Sequence, residues 1–270
     1  MTIAQEAANR NGDGTDIMSF VASRPKPNPL LSLIVWLLPH SKFKIWALRK
    51  LGNHIGENVD LAPTIVLNCG PFWLDDNTGW GLFNTFRNLR HVRLGERSRL
   101  GNFNYITAQP EYQLHSDCVG YFIVEEMSGI TSRHYLDCGG QIILRRNSGI
   151  GGLRSIFQSH EIDLQKNETG VGQIILEENS MTGTGVIMLK GAVLPEKSVL
   201  AAGSILTRAP RGTELPAQGL YAGAPARFVR ELSDFKFWDR EVWYTAPTPF
   251  DDSEFRAELT KPRKSGRSIE

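Results

Sequence analysis

The 270 residues carry 30 Lys and Arg against 29 Asp and Glu, a formal net charge of +1, and are 41% hydrophobic. That balance excludes a disordered chain and gives no electrostatic footprint for a general nucleic-acid binder. Three scattered cysteines, Cys69, Cys118 and Cys138, form no C-x-x-C, which argues against a disulfide framework or a cysteine zinc site and for reduced thiols in a cytoplasmic protein.

In chain order, residues 1–29 open polar and acidic, unlike a secretory leader, and are expected to be a flexible tail. Residues 30–52 predict two short amphipathic helices broken at Pro39. The apolar run Leu30–Leu38 is too short to span a bilayer. The first expectation for these helices is a cap over an open end of the fold. The competing one is a peripheral membrane contact, given Trp36 and Trp46 beside Lys42, Lys44, Arg49 and Lys50.

A period of six then takes over. Leu176, Thr182, Met188, Leu194, Leu200 and Leu206 are six apart, and the fifth position of each unit is small: Ser180, Val186, Ala192, Ser198, Ser204. The frame recurs upstream at Ile55, Leu61 and Leu67; at Leu94, Leu100 and Ile106; at Val124, Ile130 and Leu136; and at Leu144, Ile150, Ile156 and Ile162, the last set with Ser148, Arg154 and His160 in fifth positions. Six fits neither a helix nor an alternating strand. It fits a short strand plus a corner, three of which close a triangular coil of about 18 residues. The large residue points inward, the small one fits the corner, and about five coils stacked at parallel-strand spacing would make a column ~25 Å tall. Breaks at Asn68–His91 and Ala108–Ile123 are expected as irregular coils or loops, and Leu164–Gln173 as an inserted loop. The column is expected over residues 53–226, a helical extension over 227–250 and a flexible tail over 251–270.

The segment 171–232 contains LKGAVLPEKSVLAAGSILT and closes on YAGAPARFVREL. It resembles the C-terminal half of hexapeptide-repeat acyltransferases, the group containing maltose, galactoside and nodulation-factor O-acetyltransferases. ITSRHYLDCGG, with a His about 25 residues on, is similar to acyltransferases of surface-polysaccharide clusters. The resemblance implies an all-β, left-handed parallel β-helix. It implies a homotrimer that moves an acetyl group from acetyl-CoA to a hydroxyl, on a sugar, without a metal. By its place before the loop, His160 matches the family's general base. Imidazole suits that task because it titrates near working pH, and a bulky ring where small residues are the rule marks a functional position. Asp163, Glu161 and, on the preceding coil, Asp137 are the candidates to orient it. Thr182–Gly185 would supply an oxyanion N–H. CoA would run from Gly183 and Gly185 along Ala201, Ala202 and Gly203, with Arg208 and Arg227 at its phosphates or adenine, and Lys190 and Arg211 as weaker candidates. Arg133, His134, Tyr135 and Asp137 would line the acceptor site, a packed corner being the equal alternative for His134. The chain departs from the family at Met181-Thr182-Gly183, where many relatives carry a Trp, and at Glu177, Leu189 and Arg145, where Gly is usual.

Two other functions compete with this reading. A γ-class carbonic anhydrase shares the column but needs an H-x4-H pair, and the intervals between histidines here are 14, 37, 24, 19 and 26. A non-catalytic scaffold or sugar-binding column would lack a use for His160.

Overall fold

A computed structural model describes residues 17–210, 212–241 and 247–261. The chain winds through three parallel sheets in turn, which we call the first, second and third faces. The first face holds strands from His54–Ile55 to Val193–Leu194, the second from Asp60–Leu61 to Gly219–Gly223, and the third from Ile65–Leu67 to Ile205–Leu206. Seven strands stack on the first and third faces, so there are seven coils rather than five, spanning about 29 Å between first and last at ~4.8 Å per step.

Each face contributes one continuous ladder to the core. On the first it runs Ile55, Leu74, Leu94, Val124, Leu144, Leu176, Leu194. On the second it runs Leu61, Trp80, Leu100, Ile130, Ile150, Thr182, Leu200, Tyr221. On the third it runs Val66, Phe86, Ile106, Leu136, Phe157, Met188, Leu206. All are buried. No single hexad could bury its own apolar residue, so the stack is the hydrophobic core.

The strict count of six fails in two places. The inward residue of the first coil's third face is Val66, and Leu67 is exposed. In the fifth coil Ile156 and Ile162 point outward, at 40% and 64% exposure, and Phe157 takes the core position. The cause is Gly151-Gly152: the register shifts beside them, Gly152 has φ +65°, and one extra residue enters the corner. The small corner residues are therefore Ser155 and Ser159, not Arg154 and His160.

The region 68–91 is a regular coil, with strands Phe72–Leu74, Gly79–Trp80 and Thr85–Arg87; its inward residues are aromatic as well as aliphatic. At Ala108 the chain leaves the column through a short helix, Pro110–Gln113, and returns at Tyr121. The second excursion is an antiparallel hairpin, His160–Asp163 with Glu168–Val171, so it begins at His160 itself.

Before the column lie α1 (Ile17–Ala22), α2 (Pro29–Leu37) and α3 (Lys42–Lys50). Asn28 and Ser41 cap the last two by accepting from Leu31 N and Lys44 N. Trp36 packs on Phe72 and Trp80 at 4.9 and 5.5 Å. The buried Lys44 Nζ donates to the carbonyls of Trp36, Leu38, Leu61 and Ala62, tying both helices to the first coil. Burial pulls its pKa down to about 8 against the opposing charge of Asp60. Of the expected tail 1–29, residues 1–16 lie outside the described residues, and 17–22 are helical.

After the column, the expected helix over 227–250 is replaced. Ala226–Glu231 folds back antiparallel on Gly219–Gly223, with Phe228 against Tyr221, and among the described residues of that span only Lys236–Asp239 makes a 3₁₀ turn. A helix does form at Ser253–Thr260, inside the segment expected to be flexible, whose residues 262–270 lie outside the described ones.

Candidate active site

Where the third face turns back to the first, the fourth coil places Asp137, Cys138, Gly139 and Gly140, and the fifth places Gln158, Ser159 and His160 directly above. Ser159 is the pivot. Its hydroxyl donates to Asp137 O at 2.7 Å and accepts from Gly140 N at 2.9 Å, and its carbonyl accepts from Gly172 N at 2.8 Å. The chain thus leaves the column after Ser159 and rejoins it at Gly172, and His160 is the first residue outside.

His160 Nδ1 bonds the Oδ2 of Asp137. A carboxylate only accepts, so the proton sits on Nδ1 and the lone pair on Nε2. The Asp137 side chain is 2% exposed and its other oxygen accepts from Gly139 N at 3.0 Å, which fixes the carboxylate; the imidazole is 28% exposed. A buried carboxylate orienting an imidazole whose second nitrogen is open is the arrangement general-base catalysis uses.

The other two carboxylates are engaged elsewhere. Asp163 Oδ1 accepts from Gln165 N and Lys166 N and shapes the hairpin turn. Glu161 pairs with Lys190 Nζ at 2.7 Å. Lys190 lies flat along Gly172, where a Cβ would stand 2.7 Å from its Cγ.

Cys138 beside the pair is fully buried, and burial first, then the charge of Asp137, push its thiol well above the ordinary value; it is no nucleophile.

The excursion 108–120 leaves from this same edge and returns Tyr112 to it, ring centroid 6.0 Å from that of His160. Burial and Asp137 raise the Tyr112 pKa, against a hydrogen bond with Thr169 of the hairpin. Gln109 adds a buried, unpartnered Oε1 beside Gly139. Tyr112, Gln109 and Thr169 belong to no sequence motif. Coil length is the signal that marks them: successive first-face residues Leu94 and Val124 are 30 apart, Leu144 and Leu176 are 32 apart, and the other steps are 18 to 20.

The remaining candidates divide between two edges. Arg208 lies over Gly191 on the His160 edge. Gly183, Gly185, Ala201, Ala202 and Arg227 lie on the edge between the second and third faces, as do Arg133 and His134. A three-residue strand separates the edges, roughly 10 Å at ~3.3 Å per residue. One chain therefore does not bring Thr182–Gly185 to His160. Gly183 has a packing reason as well: a Cβ there would sit 2.7 Å from Ala202 N. Gly185 (φ +65°) borders open space. Arg211 lies outside the described residues.

His134 is a rung in an internal polar ladder. Asn104 N donates to Asn84 Oδ1, His134 N to Asn104 Oδ1, Ser155 N to His134 Nδ1, and Val186 N to Ser155 Oγ. Its Nε2 meets Thr131 Oγ1 at 2.9 Å, and burial pulls its pKa down to about 4. With both nitrogens engaged inside the column it has none to offer an acceptor. Tyr135 stands outside, stacked on Tyr105 at 5.5 Å, and Arg133 lies over the Phe103 ring.

Among the described residues no three His, Cys, Asp or Glu side chains gather around a metal-sized space.

No protein-family model matches the chain. A Schizosaccharomyces pombe protein, whose assignment as an acetyltransferase is itself provisional, is 29% identical over 79 residues. The match covers 28% of this chain and 36% of that one, so this chain spans about a third of the length of that relative. Among solved structures, a point mutant of the N-acyltransferase AntD of Bacillus cereus, in complex with dTDP-4-amino-4,6-dideoxyglucose and coenzyme A, is 16% identical over 71% of this chain and 89% of its own, with a TM-score of 0.47. A hexapeptide-repeat-containing acetyltransferase of Vibrio cholerae is 17% identical over 85% and 99%, with a TM-score of 0.39.

Proposed function

We propose that this chain is an acetyl-CoA-dependent O-acetyltransferase of the hexapeptide-repeat kind, with a left-handed column and a sugar hydroxyl as acceptor. The observation that carries the reading is the His160–Asp137 pair, with Nδ1 tied to a buried carboxylate and Nε2 open at the column edge. The resemblance of 171–232 and the local identity to an acetyltransferase-like yeast protein support the same chemistry.

His160 Nε2 takes the acceptor's hydroxyl proton as the oxygen attacks the thioester carbonyl. A backbone N–H of Thr182–Gly185 holds the oxyanion. The intermediate then collapses to the acetyl ester, and the departing CoA sulfur receives the proton from His160. Asp137 keeps the imidazole in the correct tautomer and stabilises its charged form. Because the two contributing edges of one chain are separated, the site is completed between neighbouring copies, in keeping with a cytoplasmic homotrimer. Ala201, Ala202, Arg227 and Arg208 would hold the CoA arm and its phosphates there, and Arg133 and Tyr135 would reach the acceptor.

The test is release of thiol from acetyl-CoA with a panel of sugar acceptors, parent against His160→Ala, with light scattering for the assembly. Sugar-dependent release that falls by on the order of 10²–10⁴ in the variant is expected. An unchanged rate sinks the mechanism, and a monomer at micromolar concentration sinks the shared site.

A further inference from the structure

Helices α2 and α3 each bury one side and leave the other bare. Ser32, Val35 and Trp36 of α2 and Lys44, Ala47 and Leu48 of α3 pack inward. The opposite sides expose Leu30, Leu31, Ile34 and Leu37 on α2, and Phe43 and Trp46 on α3, whose rings lie 5.8 Å apart. Helical spacing explains the grouping: positions three and four apart share a side. Six large apolar side chains within 17 residues of surface exceed the single exposed apolars that ordinary surfaces tolerate.

Charge around this patch has one sign to spare. Lys42 and Lys50 are exposed and have no acidic partner among the described residues; the two nearby acids, Glu57 and Asp60, already face Arg49 and His40. Beside Trp46 opens a groove of about 450 Å³ lined by Lys42, Arg49, Ile45 and His40, with Glu57 also on its wall and paired with Arg49. A second copy docked patch to patch would bring two surfaces carrying unpaired Lys42 and Lys50 together, because a two-fold contact uses the same patch on both copies. No described helix is long and apolar enough to cross a membrane, so the surface fits a bilayer by lying on it.

We propose that this end of the column docks on an anionic membrane surface. Leu31, Ile34, Leu37, Phe43 and Trp46 enter the boundary between headgroups and acyl chains, and Lys42 and Lys50 meet lipid phosphates. The proposal is independent of the catalytic reading. The experiment is flotation of the full chain with phosphatidylcholine vesicles with and without phosphatidylglycerol, for the parent, Ile34→Ser/Phe43→Ser/Trp46→Ser and Lys42→Glu/Lys50→Glu. Circular dichroism checks that all three fold; the changed side chains are solvent-facing. The parent is expected to float with anionic vesicles, less so at raised salt, and each variant to partition roughly tenfold or more weakly. No flotation of the parent, flotation unchanged in both variants, or a self-association that the apolar variant abolishes would each overturn the proposal, the last in favour of a second copy.

Discussion

Two histidines at corners on different edges of the same column show how packing sets what an imidazole can offer. His134 stands inside, with Nδ1 receiving Ser155 N and Nε2 at Thr131 Oγ1, and burial holds it neutral. His160 stands one residue beyond its corner, with Nδ1 on Asp137 and Nε2 open. Both come from a corner that small residues usually fill. The lesson is that a histidine with both nitrogens engaged within the fold is spent, and one with a single buried carboxylate partner is poised.

The comparison breaks first at His160. His160→Ala should lower turnover by on the order of 10²–10⁴ with little change in thermal midpoint, while His134→Ala should leave the activity of the folded fraction near that of the parent. Equal losses in both would erase the distinction. Asp137→Asn is expected to follow, with a loss on the order of 10²–10³ concentrated in kcat, since an amide N–H facing Nδ1 favours the wrong tautomer. A change confined to KM would remove Asp137 from its assigned role.

The next effect is on stability. His134→Ala should cost about 2–3 kcal/mol, because Ser155 N loses its acceptor in a buried site; chemical denaturation measures it. Acid sharpens the point. His91, whose Nδ1–H donates to Pro71 O at 2.7 Å, is also pulled down by burial to about 4. For both histidines the unfolded chain, near 6.5, binds protons that the folded one refuses. Their contribution is complete above pH 6.5 and is lost as pH falls from there toward 4, up to about 3 kcal/mol for each. A denaturation midpoint that stays constant between pH 7 and 4.5 would mean that these rings are not held neutral.

The smallest expected effect is a few-fold drop in kcat for Lys190→Met, which releases Glu161 and the hairpin from the column. Hydrogen exchange over 160–171 should rise in the same variant; unchanged exchange would remove the clamp.

Much of the column was legible because hydrophobic stacking imposes a period. From Leu176 to Leu206 every inward and corner residue stands where counting by six puts it. Legibility failed where another contact competed with the count. Leu74, Trp80 and Phe86 keep the period of six but with aromatic residues, so a search for aliphatics passed over a regular coil. Gly151-Gly152 slipped the frame by one, and the outward Ile156 beside the inward Phe157 concealed the slip. At the site, His160 was marked by its type and by the loop after it. Its partner was not, since Asp137, Glu161 and Asp163 are equally plausible until the coils are stacked. Nor does a linear count show which edge a corner occupies, and that is what separates Gly183 from His160.

The two ends of the column also differ from its middle. Every interior strand is paired on both sides, so a stack of this kind has no intrinsic length and identical columns could add end to end. At one end α2 and α3 sit on the first coil, pinned by the ammonium of Lys44. At the other, Ala226–Glu231 runs against the direction of all the coils, and the neighbouring terminal strands, Val193–Leu194 and Ile205–Leu206, are two residues long. A parallel strand from another molecule therefore meets helices at one end and, among the described residues at the other, an antiparallel strand beside templates only two residues long, which works against growth into fibres.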